Sequence, residues 1–196
     1  GPSGGRKMHL RNISSRWAYR NWADLTANAV EGTDYQVHYS AGSPTAVAGD
    51  AVAQLATHGD RQELFTMKLA KAVADKNKNQ FFAVEGMKGG TPPDSNALLR
   101  IPNNNFDHPQ AVAMQNSVEY SFAYHGRADD TDDPAGGIAR IGGLDLVNGA
   151  RLAGELQNFG IDTEIGGREG GGWGDHASPL NIVNKKADIT FVEPSA

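Results

Sequence analysis

The stretch AVAQLATHGDRQELFTMKLAKAVA, residues Ala51–Ala74, joins an apolar run to a helical pattern through His58, Gly59 and Glu63. The run AVAQLATH is typical of a buried strand, and ELFTMKLAKAVA repeats apolar residues at the spacing of an amphipathic helix. We therefore expect His58 to end a strand, Gly59 to permit the bend, and Glu63 to lie in the first turn of the helix. Two interpretations fit this segment: a helix start that favours glutamate beside a surface histidine, or two ligands of a metal ion.

Strand and helix patterns alternate along the rest of the chain. Strands are expected at YQVHYS, NQFFAVEG, VEYSFAYHG, GIARIGGLD and DITFVE. Helices are expected near Tyr19–Ala29, after Pro109 and over LVNGARLAGELQNFG, where Gly160 is a stop signal. This alternation predicts an α/β fold, a single domain with a mixed, mostly parallel sheet flanked by helices. Functional residues in such folds gather beyond the carboxyl ends of the strands.

The composition limits the classes of function. A length of 196 residues fits one domain, and a net charge of −5 argues against general nucleic-acid binding. No apolar run approaches the roughly 18 residues that a membrane span needs, and no signal-peptide pattern is present, so we expect a soluble protein. Residues 1–5, GPSGG, are interpreted as an expression-tag remnant, and residues 6–196 as one catalytic domain.

The absence of cysteine excludes disulfides and zinc–thiolate sites, so any metal ion must be held by histidine, aspartate or glutamate. The strand pattern FAYHG ends at His125 and is again followed by glycine. Two histidines and one glutamate are the ligand set of several zinc peptidases. The alternative for His125 is a histidine at a strand end that is bonded to a neighbouring carbonyl.

Six blocks of sequence, taken in order, resemble the bacteriophage poly-γ-glutamate hydrolase family. The blocks are HGDRQELFTMKLAKAVA, FFAVEGMKGG, LLRIPNNNFDHPQAV, FAYHG, IGGLD and NIVNK, within a match from about Asp34 to the C-terminus. The resemblance implies a zinc carboxypeptidase-like fold. It also implies one Zn²⁺ per chain, held by His58, Glu63 and His125.

The resemblance further implies roles for residues around the metal. Thr66 would support the ligand-bearing helix, and Asp107 would orient a ligand as a hydrogen-bond acceptor. Glu193 would take the proton of the attacking water, and Arg127 would stabilise the oxyanion. The alternatives are a turn residue before Pro109 for Asp107, an exposed glutamate near the end of the chain for Glu193, and a solvated surface arginine for Arg127.

Cationic side chains in the matched loops would bind an anionic glutamate polymer or peptide; those assigned to substrate binding are Arg61, Arg100 and Lys185. Some of these positions depart from the family pattern. Asp60, Arg61 and Gln62 replace the usual glycines, Arg100 replaces a histidine, and Lys185 replaces an arginine. Because arginine offers a bidentate fork and lysine a point charge, the differences bear on the substrate more than on the metal.

The sequence thus predicts a zinc metallopeptidase or amidohydrolase that cleaves γ-glutamyl amide bonds of poly-γ-glutamate. One alternative is a zinc amidohydrolase or carboxypeptidase acting on another acyl-glutamate or on a cell-wall peptide. A second is a non-catalytic module that binds the polyanion without a metal. The sequence assigns no oligomeric state and no compartment, although action outside the cell on a polymer capsule would suit the substrate.

Overall fold

The computed structural model describes residues 19–42, 51–89, 96–127, 137–165 and 187–192. Its strands are β1 Tyr35–Ser40, β2 Val52–Ala56, β3 Gln80–Gly86, β4 Tyr120–Arg127, β5 Ala139–Gly143, β6 Thr163–Ile165 and β7 Ala187–Val192. Its helices are α1 Trp22–Thr26, α2 Thr66–Asn77, α3 Pro109–Ser117 and α4 Leu146–Asn158. Short 3-10 turns cover Ala97–Leu99 and Asn103–Asn105.

The seven strands form one sheet in the order β1-β3-β2-β4-β7-β5-β6. The pairs β2–β3, β2–β4, β4–β7 and β5–β6 are parallel, and the pairs β1–β3 and β5–β7 are antiparallel. The predicted α/β fold with a mixed, mostly parallel sheet and flanking helices is confirmed.

Neighbouring side chains of a strand point to opposite faces of the sheet, and in the central strands both faces are covered. On one face Leu55 and Phe82 pack in a core cluster with residues of the segment around α3. On the other face Phe81 packs against Ala70 and Ala74 of α2, whose small side chains let the helix lie close to the sheet. This double coverage is typical of parallel strands and holds the carboxyl ends of β2 and β4 rigidly side by side.

The start of α2 differs from the prediction. Helix α2 begins at Thr66, so Glu63 precedes the helix and does not lie in its first turn. Phe65, the residue before the helix, adopts the left-handed conformation with φ 65° and provides no side-chain cap. The Asp60 carboxylate accepts a hydrogen bond from the Met67 N–H at 3.1 Å, and this more distant residue caps the helix.

Other element ends also differ from the sequence prediction. Strand β2 ends at Ala56, two residues before His58, and β4 continues to Arg127, so that His125 lies inside the strand. The helix expected near Tyr19–Ala29 is the shorter α1. Among the helices that the structure describes, none combines the length and the hydropathy needed to cross a bilayer.

Candidate metal centre

The turn between β2 and α2 is shaped by crowding and by unusual backbone angles. The N–H of Gly59 donates to the Val84 carbonyl at 2.9 Å, and a Cβ on Gly59 would lie 2.8 Å from that oxygen. Glycine is therefore required here by its contact with β3. The left-handed backbone falls on Arg61, φ 72°, and Phe65, φ 65°. Because this conformation costs non-glycine residues about 1–2 kcal/mol, the surroundings must hold the turn in place.

The turn brings Glu63 between the two histidines. His58 Nδ1 lies 3.1 Å from Glu63 Oε1, and His125 Nδ1 lies 3.0 Å from Glu63 Oε2. The backbone N–H of Gly126 also donates to Oε2, at 3.0 Å. All three side chains are buried, and their ligand atoms lie within 4.8 Å of one another. The structure thus unites the three residues that the sequence predicts as metal ligands.

The outer nitrogen of each ring also has a partner. His58 Nε2 lies 2.7 Å from the Ile101 carbonyl, and His125 Nε2 lies 2.6 Å from the side-chain amide of Asn103. A carbonyl oxygen only accepts, so a neutral His58 carries its proton on Nε2 and turns the lone pair of Nδ1 toward Glu63. Two acceptors 3.1 Å apart need a cation between them, either a proton or a metal ion. Metal-binding histidines commonly have an outer acceptor such as the Ile101 carbonyl, and the His58–Glu63 arrangement therefore fits a metal.

Glu63 is held in its ionised form. Burial raises the pKa of its carboxyl, but the electrostatic interactions and hydrogen bonds with His58 and His125 outweigh this effect, so the pKa lies well below its usual range. The Arg100 guanidinium also lies close to this carboxylate, with its Nε atom 3.9 Å from Glu63 Oε1. An ionised carboxylate can only accept hydrogen bonds or bind a cation, which is the state a metal ligand needs.

Two of the predicted substrate-binding residues lie beside this cluster. Arg100 donates through Nη2 to the Gln62 carbonyl and is partly exposed. Its buried Nε has no hydrogen-bond partner among the described residues. Arg61 is exposed in the turn between His58 and Glu63. Arg100 therefore lies beside Glu63, and Arg61 lies in the turn that carries Glu63.

The two predicted supporting residues have different positions. Thr66 shares its hydroxyl proton between the carbonyls of Glu63, at 2.8 Å, and His58, at 3.2 Å, so it ties the turn together. Asp107 is exposed and accepts a hydrogen bond from the Trp22 N–H at 2.7 Å. No hydrogen bond within the described residues joins Asp107 to either histidine. The expectation for Asp107 does not match its contacts, because its carboxylate anchors α1.

The structure describes no side chain for the other predicted site residues. For Arg127 the structure describes the backbone alone, which pairs with Val192 of β7. Lys185 and Glu193 lie outside the described residues, as does the glycine-rich segment at 166–179. Their roles stay predictions.

Sequence reasoning missed the residues behind the histidine rings. Asn103 is buried in the 3-10 turn after Pro102, and the hydroxyl of Thr57 donates to its Oδ1 at 2.7 Å. The only signal in the sequence is the polar triplet NNN between Pro102 and Phe106, inside one of the matched blocks. Such a triplet is also typical of an exposed loop, so it did not identify Asn103.

The fold and the cluster together define an α/β protein with a candidate metal centre at the carboxyl ends of neighbouring parallel strands. The sequence profile of the poly-gamma-glutamate hydrolase family matches residues 19–193. The chain belongs to this family of hydrolases.

The chain is also similar to an individual curated protein. UPF0714 protein YndL of Bacillus subtilis (strain 168) is 31% identical over 183 residues, which are 91% of this chain and 64% of that protein. The chain thus spans about 64% of the length of this curated relative.

Two solved structures share the fold. A structure of bacteriophage poly-gamma-glutamate hydrolase has a TM-score of 0.75 and 20% identity, covering 89% of this chain and 78% of that chain. A structure of YndL described as apo and zinc-free has a TM-score of 0.72 and 26% identity, covering 90% of this chain and 80% of that chain.

Proposed function

We propose that the protein is a zinc-dependent hydrolase that cleaves the γ-glutamyl amide bonds of poly-γ-glutamate. One observation carries this proposal: the Nδ1 atoms of His58 and His125 converge on the buried carboxylate of Glu63 in a member of the poly-gamma-glutamate hydrolase family. The naming of a relative's structure as zinc-free supports zinc as the metal. The carboxypeptidase-like character of the site and a stoichiometry of one zinc per chain are part of the proposal.

The donor set suits zinc chemistry. Two imidazole nitrogens and one carboxylate oxygen leave a position of a tetrahedral site for water or substrate. Zinc in such a site lowers the pKa of bound water and polarises the carbonyl to be attacked. The protein's own residues hold this set in shape: Ile101 and Asn103 orient the rings, and the Gly126 N–H orients the carboxylate.

Positive charge beside the cluster supports an anionic substrate. Each residue of poly-γ-glutamate carries one free carboxylate, and the chain has a net charge of −5, so binding needs local cations. Arg100 has a buried Nε without a hydrogen-bond partner in the described part of the chain, and Arg61 is exposed in the same region. We assign both arginines, together with Lys185, to carboxylate binding.

Glu193 and Arg127 are proposed as the general base and the oxyanion-stabilising residue. Strand β7 runs parallel to β4, and Val192 pairs with Arg127, two residues beyond His125. This register supports both assignments, because Arg127 and Val192 are the last residues of their strands and Glu193 directly follows Val192 in the sequence. A base must come within hydrogen-bond reach of the water whose proton it takes.

The experiment is a zinc titration with a depolymerisation readout. Protein stripped with a chelator is titrated with Zn²⁺, and the length of poly-γ-glutamate is followed by size-exclusion chromatography, with short α-linked peptides and cell-wall peptides as comparison substrates. We expect zinc to restore shortening of the polymer. Zinc-dependent cleavage of the comparison substrates alone would replace the proposed substrate. Polymer binding without zinc and without cleavage would contradict the proposal and favour a non-catalytic module.

A further inference from the structure

A buried chain of hydrogen bonds leads from Thr57 through Asn103 to His125. The Thr57 hydroxyl lies 2.7 Å from Asn103 Oδ1, and Asn103 Nδ2 lies 2.6 Å from His125 Nε2. The ring continues the chain, since His125 Nδ1 lies 3.0 Å from Glu63 Oε2. The side chain of Asn103 therefore lies against the outer nitrogen of His125, while the other nitrogen of the ring faces Glu63.

The two ends of the Asn103 amide make opposite demands on His125. When Nδ2 donates to Nε2, a neutral ring must carry its proton on Nδ1 and donate it to Glu63. When the amide is turned by half a revolution, Oδ1 accepts from Nε2–H, and Nδ1 presents its lone pair to the Glu63 carboxylate. The Thr57 hydroxyl can either donate or accept, so it serves both orientations.

Only one of these orientations is compatible with a metal bound through Nδ1. A metal ion needs the lone pair of that nitrogen, so the proton must lie on Nε2 and face an acceptor. His58 has no such choice, because the Ile101 carbonyl at 2.7 Å accepts in every case. The main chain thus determines the tautomer of His58, whereas the tautomer of His125 depends on a side chain that can turn.

We propose that Asn103 is a positioning residue whose side-chain amide turns when a metal binds, and so selects the His125 tautomer that ligates through Nδ1. This inference rests on the metal site of the proposed function. It adds to that function a residue that touches neither metal nor substrate, and it identifies Thr57 as the partner that makes both amide orientations satisfiable.

The first test measures affinity for Zn²⁺ alone, by competition with a chromophoric chelator. Asn103→Ala should weaken zinc binding by about 10–100-fold, as for other residues that orient metal ligands. Asn103→Asp, whose carboxylate can accept from Nε2–H, should bind zinc much more tightly than Asn103→Ala. Asn105→Ala is the matched control, because Asn105 is exposed in the same 3-10 turn and should leave the affinity unchanged.

The second test reads the tautomer directly by NMR of protein labelled with ¹⁵N-histidine, at mildly alkaline pH. The His125 signals are assigned by their loss in His125→Ala. Wild-type protein should carry the His125 proton on Nδ1 without zinc and on Nε2 with zinc. Asn103→Asp should keep a proton on Nε2 under both conditions, a change that a merely structural role would not produce.

The outcomes separate this inference from the proposed function. Equal zinc affinity of Asn103→Ala and wild-type protein would overturn the role of Asn103 while the zinc site stands. The same tautomer of His125 with and without zinc would also overturn it, and this measurement needs wild-type protein alone, so it holds even if Asn103→Ala does not fold. Failure of wild-type protein to bind zinc would instead remove the proposed function, and the inference with it.

Discussion

Two histidine–glutamate contacts, one between strands β1 and β3 and one in the turn between β2 and α2, differ in their surroundings. His38 Nε2 lies 2.9 Å from Glu85 Oε2, with side chains 37% and 25% exposed. His58 Nδ1 lies 3.1 Å from Glu63 Oε1, with side chains 1% and 8% exposed. A short distance between the two groups therefore does not distinguish a functional site from a surface ion pair. The difference lies in burial and in the further partners of each ring.

Burial changes what the glutamate requires. At the surface, water solvates both groups, and exposed pairs contribute about 0–1 kcal/mol to stability. In the interior, the Glu63 carboxylate has lost its water and depends on two histidines, the Gly126 N–H and nearby Arg100. A buried charge that loses a partner commonly destabilises a protein by about 3–5 kcal/mol. The comparison predicts that equal substitutions at the two contacts have unequal effects.

The largest effect is expected from His58→Ala and His125→Ala. Each variant removes one of the three ligand side chains, so zinc binding and poly-γ-glutamate cleavage should both fall to background. His38→Ala is the matched control and should retain both. Metal content after dialysis and the polymer-length assay measure the effects. Zinc retained by both ligand variants would show that the metal lies elsewhere.

A smaller effect is expected from Arg100→Ala. The variant removes the charge beside Glu63 and the hydrogen bond to the Gln62 carbonyl, and hydrogen bonds of charged groups contribute about 1.5–3 kcal/mol. Urea unfolding should therefore show a loss of that size. Arg100→Lys keeps the charge without the planar fork, so its free energy of unfolding should lie between those of Arg100→Ala and wild-type protein. An unfolding free energy equal to wild type would mean that Arg100 contributes nothing to holding the turn.

Thr66→Val should have a smaller effect again. The substitution keeps the shape of the side chain but removes the hydroxyl that bonds the carbonyls of His58 and Glu63. We expect a loss of about 1 kcal/mol in the free energy of unfolding. Thr66→Ser, which keeps the hydroxyl, should recover most of that loss in the same urea experiment. An unfolding free energy of Thr66→Val equal to that of wild-type protein would show that the hydroxyl contributes nothing to holding the turn.

The smallest effect is expected at the surface pair. A double-mutant cycle with His38→Gln and Glu85→Gln should give a coupling energy below about 1 kcal/mol. A coupling as large as that of a buried pair, about 3 kcal/mol or more, would break the contrast between the two contacts.

The fold class could be predicted because it has local signals, and the candidate ligands His58, Glu63 and His125 could be predicted from the resemblance of the ordered sequence blocks to a known family. The alternation of strand and helix patterns indicates the α/β class, and His–Gly pairs follow two apolar runs. The start of α2 could not be predicted, since Leu64 and Phe65 extend the apolar pattern although they are 54% and 65% exposed. The cap of α2 comes from Asp60, seven residues before the amide that it accepts from, which is beyond the reach of capping rules.

The supporting residues could not be predicted because their partners are distant in the sequence. Asp107 bonds to Trp22, 85 residues away, and Asn103 bonds to His125, 22 residues away. Asn103 and Asp107 lie in the same matched block, and the sequence gives no reason to prefer one of them as the hydrogen-bond partner of a histidine ring. Only the packing of the segment against the sheet decides that Asn103 is buried at the ring while Asp107 is exposed.

The position of β7 affects how the chain can fold during synthesis. Strand β7 lies between β4 and β5, so β5 and β6 join the rest of the sheet only through residues 187–192. A ribosome adds about 5–20 residues per second, so several seconds separate the emergence of β4 from that of β7. In that interval the strand that bears His125 has an unpaired edge, which can pair with other chains. The nascent protein should therefore aggregate most readily when β4 is complete and β7 is not yet translated.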